Sequence, residues 1–161
     1  MDEEVLAMNE KIDVDEAPPS AEALRMSVLQ KEMEKADAER KAREAEERKL
    51  AEFTHDFMNN HVSEDEMAMV RRLVMNAVKD GKFEAMVYSF PSGLCTDSGR
   101  AINNNDPSWP ETLQGKAKEL FESYEELAKP RGYKLKAMVI NFPGGIPGDI
   151  GFFLNWAPPA V

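Results

Sequence analysis

The chain has 161 residues, with 30 acidic side chains against 20 basic ones, a formal net charge of −10 and one cysteine, Cys95. That length suits one domain with appendages, and the charge disfavours DNA, RNA and anionic membrane surfaces, which are gripped mainly through Lys and Arg. A lone cysteine excludes an internal disulfide and a cysteine-rich zinc site. No apolar run approaches the roughly 18 residues of a membrane span, and the acidic start is unlike a secretory signal, so the expected location is cytoplasmic.

Residues 1–19 hold seven acids against Lys11 and end in Ala17-Pro18-Pro19. They have too little apolar area to offset the entropy of ordering, which predicts a disordered acidic tail. Val5, Leu6, Met8 and Ile12 give it the composition of a docking motif as well as of a solubilising tail. Ser20 can cap a helix that runs to about Phe53 without internal Gly or Pro, rich in Ala, Glu, Lys and Arg. Leu24, Val28 or Leu29, Met33 and Ala36 make a thin stripe on its first half. That is about two heptads, short of the three or four a full coiled coil needs, and predicts at most a short dimer seam near 24–36. From Asp37 to Lys49 five basic residues face five acidic ones, as on a solvated spacer, with Asp37–Lys41, Glu39–Arg43 and Glu44–Arg48 at i,i+4. Thr54 to Val62 looks like a linker, which leaves His55 and His61 without the fixed geometry a metal ligand needs. No metal and no cofactor is expected.

Residues 63–157 are the expected folded domain, and 158–161 a short tail. Two stretches in it read almost alike: Phe83-Glu-Ala-Met-Val-Tyr-Ser-Phe-Pro-Ser-Gly93 and Leu135-Lys-Ala-Met-Val-Ile-Asn-Phe-Pro-Gly-Gly145, identical at six of eleven positions. Each follows a helix-patterned segment that opens with Ser-x-x-Glu, at Ser63/Glu66 and Ser108/Glu111, the pattern of a capping box. Helices are predicted over 64–80 and 109–129, with strands over 83–90, 133–142 and 151–156. Their order is α-β-α-β-β, an internal αβ repeat followed by one more strand. The predicted fold is therefore a small two-layer α/β (α+β) domain, its first two strands parallel through a helical crossover and its third antiparallel. Residues 1–62 would then be dispensable for folding.

Parallel strands would bring the loops that follow them to one rim, where open α/β sheets bind ligands. The first loop, 91–107, is long for a strand-to-helix connection and gathers Cys95, Thr96, Asp97, Arg100 and Asn103. The second contributes Gly144, Gly145 and Asp149. These eight residues are the candidate site for a small polar or anionic ligand. Gly144-Gly145 matches neither nucleotide-binding glycine pattern, and Cys95 has no histidine nearby in sequence to activate it. The opposite feature is apolar. Strict alternation puts Met86, Tyr88, Phe90, Met138, Ile140 and Phe142 on one sheet face, and the two helices suffice to cover only the other. The function expected from these features is a non-catalytic, self-associating module, a homodimer that reaches a protein partner through residues 1–53. The alternative is a small enzyme or ligand sensor using the strand-end loops.

Overall fold

The structure is a computed structural model that describes residues 17–159. The tail's first sixteen residues, with Val5, Leu6, Met8 and Ile12, lie outside the described residues. The chain divides into two units, one up to Lys49 and one from Leu50. Helix α1, Ala21–Asn59, belongs to both. Ser20 caps it, its Oγ accepting from the Ala23 amide at 3.1 Å. In the first unit Leu24, Val28, Leu29 and Met33 are all exposed, as the thin stripe implied. Arg40 bridges Asp37 and Glu44 at 3.6 and 4.0 Å. Such exposed pairs contribute little each.

The second unit holds α2, Glu64–Lys79, β1, Glu84–Pro91, a single turn α3, Arg100–Asn103, α4, Gly115–Ser123, β2, Lys134–Val139, and β3, Asp149–Asn155. α2 starts as its sequence dictates. The Ser63 hydroxyl accepts from the Glu66 amide while the Glu66 carboxylate takes the Ser63 amide, so the capping box is complete. The second Ser-x-x-Glu does not cap. Ser108 turns back instead, donating both its amide and its hydroxyl to the Asp106 carboxylate. Trp109–Thr112 is one 3₁₀ turn. The expected helix over 109–129 is thereby split into that turn, α4 from Gly115, a π-helical turn at Tyr124–Ala128 and a 3₁₀ turn at Lys129–Arg131.

The sheet is antiparallel throughout, in the order β1-β3-β2, which corrects the expected parallel pair. β3 lies between the other two and runs against both. β1 and β2 share a direction without touching as a ladder. The reason is the composition of β3. Ile150, Phe152 and Leu154 all point to the core, facing Phe90, Tyr88 and Ala85 on one side and Val139, Ala137 and Leu135 on the other. A strand so apolar is best placed where both neighbours can cover it.

The core lies between this sheet face and the helices. Phe57, Phe90, Phe152 and Ile150 are its largest fully buried side chains. Phe57 comes from the last turns of α1, in the segment expected to be linker. Residues 54–59 are helical, and the Phe57 ring packs 5.5 Å from Phe90 and 6.0 Å from Phe53. Ala117 and Leu120 of α4, Val70 and Val74 of α2, and Trp109 close the layer.

Candidate functional site

The two strand-end loops meet. Ser92, buried just past β1, donates its amide to Gly148 O at 2.8 Å and its hydroxyl to Pro147 O at 2.9 Å. Gly99 follows on the same side, packed so that a Cβ would stand 3.1 Å from Ser92 Cβ and 3.2 Å from Ile150 Cδ1. The polar side chains of each loop, however, serve their own backbone. Asp97 accepts from the amides of Gly99 and Ala101 at 2.9 and 2.8 Å and so caps the α3 turn. Asp149 accepts from Asn141 Nδ2 at 2.9 Å, while its own amide donates to Asn141 Oδ1 at 2.8 Å, closing the turn before β3. Among the described residues no ion pair within 4.0 Å joins Arg100 to Asp97 or to Asp149. Thr96 and Asn103 are exposed, and Gly144 and Gly145 form an exposed turn. Each candidate residue thus has a local structural task or faces solvent, and the two carboxylates are already engaged.

Cys95 is buried, 3% exposed, and burial pushes its thiol up to about 11, with the Asp97 carboxylate adding to the rise and a hydrogen bond from Thr112 opposing it. A thiol held neutral and inaccessible is a poor nucleophile. In the native chain Cys95 should resist a disulfide reagent at about pH 8 and react stoichiometrically once denaturant is added. Rapid labelling of the folded protein would show the thiol to be open.

A different group of titratable residues is brought together where sequence reasoning placed none. The Lys116 side chain is 4% exposed, and its ammonium reaches Asp56 Oδ2 at 2.6 Å and Glu66 Oε1 at 2.5 Å. It ties the end of α1 and the capping box of α2 to the first turn of α4. Burial works against the ammonium, but the bonds to Asp56 and Glu66 outweigh it and hold Lys116 above its ordinary value. Asp56 is held below the usual carboxylate range by a hydrogen bond from Asn60 and by Lys116. For Glu66 burial pulls upward, and the bonds from Lys116 and Ser63 outweigh it downward. Tyr88 is pushed well up, mainly by burial and then by the neighbouring Glu66 and Asp56 charges. The signal for this cluster was in the sequence: Lys116 lies three residues after Leu113 and four before Leu120, on the buried stripe. One ammonium thus serves two carboxylates and links three helices. His61 stands beside Glu119 at 3.3 Å, and His55 bonds its own helix at Asn59.

The apolar face is smaller than expected and differently made. A bulge at Val87 shifts the register between Met86 and Tyr88. Past it, the faces of β1 exchange, so Tyr88 and Phe90 pair with Phe152 and Ile150 and turn into the core. β2 has no bulge, and Ile140 and Phe142 stay outside. The outer face therefore carries Met86, Met138 and Ile140, exposed by 42, 41 and 38%, with Phe142 beyond the strand end. Phe153, which the pattern did not mark, joins them. Gly151 sits beneath, where a Cβ would meet Ile140 Cγ2, Met86 Sδ and Phe153 at 2.9–3.0 Å. Lys136 lies over the Phe153 ring and pairs with Glu84 at 3.4 Å. No helix among the described residues is long and apolar enough to cross a membrane. Comparison with family models, with curated proteins and with solved structures finds no significant match, so the site's meaning rests on its own geometry.

Proposed function

We propose that the chain is a non-catalytic module that self-associates through the outer face of its sheet and reaches a protein partner through residues 1–53. One observation carries the reading. Met86, Met138, Ile140 and Phe153 form a contiguous apolar patch on the face away from the helices, and glycine at 151 lets them close into one surface. A second copy is the occupant that fits. A two-fold interface needs only a self-complementary surface, and the patch is edged by Lys136 and Glu84, which offer both signs of charge to an identical neighbour. The chain's net charge of −10 speaks against a further acidic partner on the same face. The exposed stripe at Leu24, Leu29 and Met33 supports a short second seam in α1. A cytoplasmic setting belongs to the same proposal and rests on the single cysteine. The alternative, a polar or anionic ligand between the strand-end loops, has less support, because Asp97 and Asp149 are already bonded within their loops.

The test is the mass in solution by light scattering. The full chain should be a dimer at tens of micromolar, and Ile140→Asp should weaken it by roughly 30-fold or more, the effect of losing an interface hot spot of about 2 kcal/mol. A chain beginning at Leu50 should remain dimeric. A wild type that is monomeric at high micromolar concentration overturns self-association. A dimer that survives Ile140→Asp but dissolves on removal of residues 1–49 moves the contact to α1 and overturns the sheet-face assignment.

A further inference from the structure

Between the sheet and its helices lies a cavity of about 150 Å³ in the second unit. Val70 of α2, Val87, Leu120 of α4, Phe152 and Leu154 form its floor and walls, and Leu127 stands at one side. Among the described residues no charged side chain lines it. The Tyr124 hydroxyl at its edge already donates to Tyr133 O at 3.1 Å, which leaves Ser123 as the one other polar side chain of the lining.

The cavity has a local cause. Leu120, Tyr124 and Leu127 would share one face of a regular helix, and Leu127 would then fill the space beneath it. The chain instead takes a π-helical turn over Tyr124–Ala128. Leu127, within this turn, is 61% exposed and stands at the rim of the space rather than across it. π turns are uncommon and occur often at functional sites. The space opens to solvent beside the π turn, so a small molecule can reach its apolar walls without the core having to open.

We infer that this cavity is a binding site for one small, neutral, apolar molecule about the size of an aromatic ring. The volume is that of the engineered leucine-lined cavities that stay dry and take up benzene. The lining selects against water and against ions, since a charged group entering it would lose its hydration without gaining a partner. The inference is independent of self-association, which uses the opposite face of the sheet.

The probes are toluene and indole, with benzoate as the charged control of similar ring size, tested on the full chain. Toluene or indole near saturation should raise the thermal midpoint by a few degrees, as expected for a ligand that binds only the folded state. Benzoate should leave it unchanged. Ala128→Leu, which adds bulk at the lining of the π turn, should melt cooperatively and lose the toluene shift. Should that variant fail to fold, amide shifts in the wild type decide. Perturbations confined to Leu120, Ala128 and Leu154 and their neighbours support the site. Absence of any stabilisation or shift change by toluene and indole overturns it, as does equal stabilisation by benzoate, or perturbations centred on the outer sheet face.

Discussion

A chain beginning at Ser63 will lose the cooperative thermal transition that a chain beginning at Leu50 keeps. The cut at Ser63 removes Phe57, one of the four largest fully buried side chains, which is 1% exposed and packed between Phe53 and Phe90. Truncating a buried Phe to Ala alone costs about 3–5 kcal/mol. A domain's whole stability is about 5–15 kcal/mol. The same cut removes Asp56 and strips Lys116 of one of its two carboxylates. Residues 21–49 supply no buried side chain, so their loss should leave the midpoint within a few degrees. Two single substitutions in the full chain isolate the contact. Phe57→Ala should lower the midpoint by more than about 10 °C, given roughly 4–8 °C per kcal/mol for domains near this size. Gly115→Ala should do similar damage from the other side, because Gly115 has φ +54 and a Cβ there would run into the Phe57 carbonyl oxygen. Circular dichroism melts of the four proteins decide it. Equal midpoints for the chains from Leu50 and from Ser63 would mean that the end of α1 is an ornament on a domain complete without it.

That contact marks where the sequence was readable and where it was misread. Leu50, Phe53 and Phe57 already follow the spacing of a helix face. The run of Asn59, Asn60 and the capping Ser63 obscured it, because those residues do end a helix, only six residues later than expected. Elements set by local chemistry were legible. α2 ran from its capping box to the left-handed Gly81 almost as its pattern implied, and all three strands fell within a few residues of their expected limits. What local chemistry does not encode was not legible. Ser108-x-x-Glu111 has the same letters as Ser63-x-x-Glu66, yet Asp106 competes for the Ser108 hydroxyl and amide, and a turn wins over a cap.

The strand order is a second such case. Pairing is a long-range choice, and chain order alone left the order of the strands in the sheet open while suggesting a parallel pair. The cue that β3 belongs in the middle is its content: it buries Ile150 and Phe152 completely and needs cover on both edges. The duplicated stretches misled for a related reason. Ala85 and Ala137 do face the core together, and Met86 and Met138 do face away. One extra residue at Val87 then reverses the faces beyond it, so the two Phe-Pro sequences meet opposite fates: Phe90 is 2% exposed and Phe142 is 52% exposed. A bulge re-aims every side chain that follows it, and period-two reasoning has no way to register one. For the candidate site, the sequence did identify loops that meet, at Ser92 and Pro147. It did not reveal that Asp97 and Asp149 spend their oxygens on their own turns.

Lys116→Met should lower the thermal midpoint by roughly 10 °C near neutral pH, and the deficit should shrink in acid. The Lys116 side chain is almost fully covered, while Asp56 is half exposed and Glu66 about one-third exposed. Water will partly compensate the two carboxylates left behind, so the loss should fall short of that for a fully buried pair. The sign of the pH dependence follows from the directions of the three shifts. Asp56, held down by Asn60 and Lys116, and Glu66, where the Lys116 and Ser63 bonds overcome burial, contribute stability above their unfolded-state values. That contribution is lost as pH falls through their lower folded-state values. Lys116, raised by the two carboxylates against the pull of burial, contributes stability below its ordinary 10.5, lost as pH rises through its folded-state value. The wild type should therefore hold a plateau from about pH 6 to pH 9 and fall away on both sides. In the variant the alkaline loss from this site disappears, and in acid the protonated carboxylates no longer need the ammonium, so the two melting curves converge. Lys116→Glu should reverse the sign outright. Three carboxylates crowded around one position repel when ionised, so that variant should gain stability as the pH is lowered from neutrality towards about 5. Thermal melts across pH read both outcomes. A wild-type-to-Met gap that stays constant from neutral to acid pH would mean that Lys116 acts only through the packing of its stem, and that the bonds to Asp56 and Glu66 contribute nothing to folding.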